Sequence, residues 1–157
     1  MLRYVWCGLI SGLNIGAIAL TTEAMPVKPT RFSVDGARLE ISLPAPVKLQ
    51  PLSDVGLEIV VSDRIQLVLE TLADDRFIAE YRKDTLANTG IFKRLLVDSP
   101  TALLHEDSLM GQSAYRVITY IKANSVNLTC RDKRVVDLTE AEARTVIQWC
   151  QTIRSAP

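Results

Sequence analysis

The chain has 157 residues, with 18 lysines and arginines against 18 aspartates and glutamates, one histidine and three cysteines. This length holds one domain. The zero net charge excludes the basic footprint of a nucleic-acid binder and the polybasic segment of a protein drawn to an anionic membrane. A hydrophobic content of 48% supports a packed core and excludes a disordered chain.

Residues 1–24 read as a signal peptide and residues 25–157 as a single α+β domain. Arg3 is the only charge before Glu23, and residues 5–20 are mostly apolar. Ala17-Ile18-Ala19 offers small residues for cleavage, and Thr22-Glu23-Ala24 offers a second place. Asn14 and the glycines weaken the stretch as a membrane span, which needs about 20 apolar residues. An uncleaved anchor and a buried N-terminal segment are the alternatives. Cys7 stands too near Met1, beside Trp6, for a lipoprotein cysteine. Cleavage removes Arg3 and Glu23 together, so the charge balance is kept, and it leaves two cysteines, Cys130 and Cys150.

Residues 25–30, with Pro26 and Pro29, read as an extended lead-in. Residues 31–34 and 37–43 form a predicted hairpin, because Asp35-Gly36 suits the positive φ angles of a tight turn. Leu39, Ile41 and Leu43 alternate with Arg38, Glu40 and Ser42, which leaves one face wet. Pro44, Pro46 and Pro51 predict a loop. Residues 57–61 and 64–70 form a second hairpin across Ser62-Asp63. Residues 73–88 read as a helix. Asp74 and Asp75 suit its first turn, Phe77, Ile78 and Tyr81 give an apolar side, and Asn88 and Gly90 are stop signals.

Strands follow near 92–97 and 102–105, with Ser99-Pro100 turning between them. A third hairpin, 115–122 with 126–131, turns at Ala123-Asn124. Thr139-Glu140-Ala141-Glu142 is a capping box that opens a helix to about Arg154. Runs of strands with few helices predict an antiparallel β-sheet with a mid-chain helix and a C-terminal helix packed on it, an α+β fold.

Val126, Leu128 and Cys130 share one strand face, and Val146, Ile147, Cys150 and Ile153 share one helix stripe. If that helix covers that strand, the two sulfurs meet. An oxidising compartment favours their disulfide over two unpaired core thiols. Neither cysteine has a nearby histidine to activate it as a nucleophile.

The Phe32-Ser33-Val34 to Ile41-Ser42-Leu43-Pro44 hairpin, the later paired strands and the terminal helix ending Trp149-Cys150-Gln151-Thr152-Ile153-Arg154 resemble the PsbP-like α+β domains, which include small bacterial envelope proteins. The likeness is one of element order over residues 30–154. It implies binding and assembly roles and carries over no functional residue.

His105-Glu106-Asp107 is the one cluster that resembles a catalytic site, since an imidazole and two carboxylates can shuttle a proton or hold a metal. Neighbouring residues diverge on a strand or a helix, so a solvated turn after Leu103-Leu104 is the plainer expectation. No second histidine completes a usual zinc set, so no metal is expected. Asp74-Asp75 is explained by a helix start. Arg131-Asp132-Lys133-Arg134 is the densest basic patch, and Arg131, Lys133 and Arg134 could recognise an acidic partner or form a solvated loop. Arg82-Lys83 and Lys93-Arg94 read as solvated faces. Ser108 and Ser113 flank Gly111 without a Gly-x-Ser-x-Gly elbow. There is no phosphate loop, and no cofactor is implied.

Three readings follow. The first is an exported, periplasmic or envelope, non-catalytic binding or accessory protein whose partner is another envelope protein. The second is an immunity or inhibitor protein that blocks a toxin or an envelope enzyme. The third is a hydrolase with His105 as base and Glu106 or Asp107 assisting.

Overall fold

The computed structural model describes residues 27–44, 46–53, 56–72, 74, 76–123 and 126–157. The expected signal peptide and Cys7 lie outside the described residues. Strands β1 (Val27–Val34) and β2 (Ala37–Pro44) pair antiparallel across Asp35 and Gly36, whose φ angles of 48° and 74° are those of a tight primed turn. A short β10 (Arg154–Ser155) lies on the other side of β2. The remaining strands form one seven-stranded sheet. They are β3 (Lys48–Ser53), β4 (Gly56–Val60), β5 (Gln66–Leu72), β6 (Phe92–Asp98), β7 (Ala102–Leu109), β8 (Gln112–Ala123) and β9 (Val126–Asp132). Their order is β3-β4-β5-β9-β8-β7-β6, and every neighbouring pair is antiparallel. Among the described residues the fold is therefore mostly antiparallel sheet, with two helices, α1 (Phe77–Ala87) and α2 (Glu140–Cys150).

Strand alternation places the helices on opposite faces. Leu104, Val117, Leu128 and Cys130 point to the side where α2 contributes Ala143, Val146, Ile147 and Cys150, and the buried residues of β1 and β2 join the same core. Leu103 and Ile118, one residue along each strand, point to the other side and pack against Ile78, Phe77 and Tyr81 of α1. The sheet is thus covered on both faces where β7 and β8 run.

Three local expectations change. Residues 48–53, expected in a loop, form β3, because Pro51 lies on an edge strand where its missing N–H breaks no inner ladder. Helix α1 starts later than expected, so Asp74 lies ahead of it; its carboxylate accepts from the Arg76 backbone N–H at 3.0 Å and from the Arg76 guanidinium. Asp75 lies outside the described residues. Helix α2 ends at Cys150, and Arg154 is a strand residue whose Nε donates to Glu40 at 2.7 Å.

The capping box forms as read. The Thr139 Oγ1 accepts from the Glu142 N–H, and Glu142 accepts from the Thr139 N–H at 2.8 Å. Arg64, from the turn between β4 and β5, adds a fork onto the same carboxylate at 2.8 and 3.1 Å. These contacts, Arg64 foremost, hold the Glu142 carboxyl down at about 2. Cys130 and Cys150 are joined in a disulfide, both fully buried.

Two outcomes test this frame. Replacing both cysteines with alanine should lower the unfolding free energy by about 3 kcal/mol, the chain-entropy value for a loop of this length, in urea titrations. Reduction of the unfolded wild-type chain should add about 2 Da to its mass. Thr139→Ala should cost about 1 kcal/mol in the same titration, as loss of a helix N-cap does.

Candidate functional site

His105, Glu106 and Asp107 lie inside β7, and all three are buried, so the expected solvated turn does not occur. The strand period divides them. Glu106 faces away from His105 and Asp107. It accepts from Ser113 Oγ at 2.6 Å, Arg94 Nε at 2.7 Å and Lys93 Nζ at 3.1 Å. These three donors, Ser113 foremost, hold its carboxyl down at about 2. Lys93 and Arg94, expected as a solvated face, are thus a clamp on a strand carboxylate. Ser113 stands opposite Ser108 in the β7–β8 hairpin.

His105 and Asp107 share the α1 face. The His105 Nδ1 lies 2.9 Å from Asp107 Oδ1. A carboxylate only accepts, so Nδ1 carries the proton, and Nε2 presents its lone pair to the Tyr81 hydroxyl at 3.4 Å, a long contact. The Tyr81 oxygen in turn accepts from Arg134 Nη2 at 2.8 Å. A line of hydrogen bonds therefore runs Asp107–His105–Tyr81–Arg134, from a strand through α1 to the segment after β9. Burial lowers the His105 pKa below its ordinary 6.5, against the opposing pull of Asp107. Burial likewise raises the Tyr81 phenol, against Arg134. At neutral pH the ring and the phenol are both uncharged.

This line forms one wall of a cavity of about 240 Å³. Tyr81, Asp84, Thr85 and Asn88 reach it from one stripe of α1 and its end, at intervals of three and four residues, and Ile91 adds an apolar patch. Beside it, Arg116 is the cross-strand neighbour of His105 on β8. The Arg116 Nη2 donates to Asp137 at 2.6 Å, while its Nη1 stands 3.9 Å from the buried Asp132 Oδ2. Among the described residues neither of those two facing atoms has a hydrogen-bond partner. Desolvation raises the Asp132 carboxyl above its usual range, although its Oδ1 accepts from the Val117 N–H at 2.8 Å.

The basic patch separates in the same way. Arg131 pairs with Glu70 at 3.0 Å and Lys133 with the buried Glu58 at 2.7 Å. Both neutralise carboxylates of the sheet. Only Arg134 of the three turns to the cavity. Its backbone is left-handed, with φ 62°, an uncommon conformation for a side-chain-bearing residue. Tyr81 is expected on the apolar side of the 73–88 helix and Asn88 as its stop signal, while Asp84 carries no expectation; the three-and-four spacing of 81, 84 and 88 is the signal that joins them on one stripe. Among the described residues no group of three or more His, Cys, Asp or Glu is placed to hold a metal, and no helix is long and apolar enough to cross a membrane.

Comparison with family models, with curated proteins and with solved structures finds no match for this chain. The chemistry of the site therefore rests on its own residues.

The single histidine makes one outcome easy to assign. Unfolded, its imidazole takes a proton near 6.5; folded, it does so only at lower pH. Between those values the unfolded state binds more protons, so stability falls as pH drops from 6.5 through the folded pKa. The raised Asp132 acts oppositely, its penalty disappearing as it protonates at lower pH. The ring C–H resonances should titrate with a midpoint below 6.5, and a midpoint at or above that value contradicts the burial argument. The urea midpoint should drop from pH 7 to pH 5 in the wild type, and drop less in His105→Gln.

Proposed function

We propose that the chain is an exported, non-catalytic binding or accessory protein that engages another envelope protein through the cavity between α1 and the end of β9. One observation carries this reading. His105 is 4% exposed, and both of its ring nitrogens are engaged within the protein, Nδ1 by Asp107 and Nε2 by Tyr81. A general base needs a nitrogen within reach of the substrate. Here the imidazole instead holds Tyr81, Tyr81 holds Arg134, and the groups left facing the cavity are ones that recognise a partner. The buried Cys130–Cys150 bridge supports export, since such bonds persist in oxidising compartments. The resemblance in element order to the PsbP-like α+β domains, drawn from the sequence, is kept as part of this proposal.

A second reading is favoured by the continuity of the Asp107–His105–Tyr81–Arg134 line. In a hydrolase built on it, the Tyr81 phenol would meet the substrate, with His105 taking its proton and the Arg134 cation steadying the phenolate. Asp107, and not Glu106, would assist.

Cross-linking of the purified protein into an envelope extract separates these readings. One specific partner should be recovered, and Arg134→Gln should reduce that recovery by about tenfold, as loss of a charge-assisted contact does. Recovery of no partner, or recovery indifferent to Arg134→Gln, overturns the proposed interface. Turnover of an ester, amide or phosphoester panel that vanishes in both Tyr81→Phe and His105→Gln would instead establish the hydrolase.

A further inference from the structure

Arg134 and Asp84 line the same cavity, and neither is in an ion pair among the described residues. They are not bonded to each other either. For the arginine this is uncommon among the described residues, where most arginines are paired with carboxylates: Arg64 with Glu142, Arg82 with Asp98, Arg94 with Glu106, Arg131 with Glu70 and Arg154 with Glu40. The Arg134 guanidinium is nevertheless held in place. Its Nη2 donates to the Tyr81 oxygen at 2.8 Å, Tyr81 meets His105, and His105 is anchored by Asp107. The remaining guanidinium N–H groups keep the planar fork suited to a carboxylate. The strained left-handed backbone at Arg134, φ 62°, coincides with this cavity wall.

A simple anion would meet Arg134 but would also meet the Asp84 carboxylate and the Asp107 carboxylate, the latter already engaged by His105. A simple cation would meet the reverse conflict. One ligand class satisfies both walls. We propose that the cavity binds a small zwitterion of the amino-acid type, its carboxylate on Arg134 and its ammonium on Asp84. Thr85 and Asn88 supply neutral hydrogen-bonding groups between the charges, and Ile91 offers an apolar patch for a short aliphatic side chain. The volume of about 240 Å³ lies below the range of drug-sized pockets and suits a ligand of this size. The inference rests on the cavity being a binding site, as proposed above. It assigns a small ligand that the protein-partner reading does not require.

The test uses the whole oxidised protein and follows the His105 ring resonances and the melting temperature while each standard free amino acid is added in turn. At least one should give saturable shifts of the ring, with half-saturation near about 1 mM or tighter. For that amino acid, the matching acid without its amine and the matching amine without its carboxylate should each bind at least about tenfold more weakly. Arg134→Gln and Asp84→Asn should each weaken binding of the amino acid by a similar factor, with the melting temperature of unliganded Asp84→Asn unchanged and that of Arg134→Gln lowered at most slightly by loss of its bond to Tyr81. The proposal is overturned if no amino acid shifts the ring, if the acid alone binds as well as the amino acid, or if Asp84→Asn binds undiminished. Should all amino acids fail while envelope-partner recovery still depends on Arg134, the zwitterion assignment falls and the protein-partner reading stands.

Discussion

A strand covered on both faces must satisfy every polar side chain it carries inside the protein, because an unpaired polar group in such a place costs free energy of the order of a lost hydrogen bond, about 1–3 kcal/mol. β7 is that strand. Residues 102–107 are all buried, with α2 over one face and α1 over the other. Its three consecutive polar residues are therefore all engaged, two of them by side chains of neighbouring elements. Glu106 draws in Lys93, Arg94 and Ser113. His105 takes Asp107 within the strand and Tyr81 from α1. Tyr81 then positions Arg134. The cavity wall is the far end of a chain of obligations that begins with burial of one strand.

Much of the architecture is legible in residue patterns. Asp35-Gly36 marks a primed turn, and the alternation of Leu39, Ile41 and Leu43 marks the buried side of β2. Thr139 and Glu142 mark the start of α2, and Cys130 and Cys150 each lie on the apolar face that meets the other. These features are legible because they are set by contacts near in sequence or by periodicity. β3 was hidden because Pro51 reads as a breaker unless the strand is known to be an edge. The continuation of β7 through His105, Glu106 and Asp107 was hidden because consecutive polar residues look solvated, and only the partners from β6, β8 and α1 make their burial affordable. The site itself joins residues 81, 84, 105, 107 and 134, whose proximity comes from sheet order and from α1 crossing β7 and β8. No local pattern contains that information.

Charge in this protein is organised residue by residue. Part of the balanced charge forms ion pairs that tie elements together: Lys133 of the segment after β9 to Glu58 of β4, Arg131 of β9 to Glu70 of β5, Arg154 of β10 to Glu40 of β2. Exposed pairs of this kind contribute little individually, about 0–1 kcal/mol, but a buried carboxylate such as Glu58 would be costly without its partner. The buried Arg116 and Asp132 differ: they face each other at 3.9 Å with no shared hydrogen bond among the described residues, next to the His105 line, while Arg116 is held by Asp137. Buried His105, Asp107, Arg116 and Asp132 thus gather beside the cavity, while buried Glu40 and Glu58 lie elsewhere.

The disulfide has a consequence beyond holding α2 on the sheet. Arg134 lies four residues after Cys130, inside the 20-residue segment that the bridge closes. The ends of that segment are anchored, one in the middle of a seven-stranded sheet and one at the end of a capped helix. A guanidinium carried on such a tether has already lost much of the freedom that a mobile loop would surrender on meeting a ligand. In the binding role proposed for Arg134, the bridge would act as preorganisation, lowering the entropic cost at a residue it never touches.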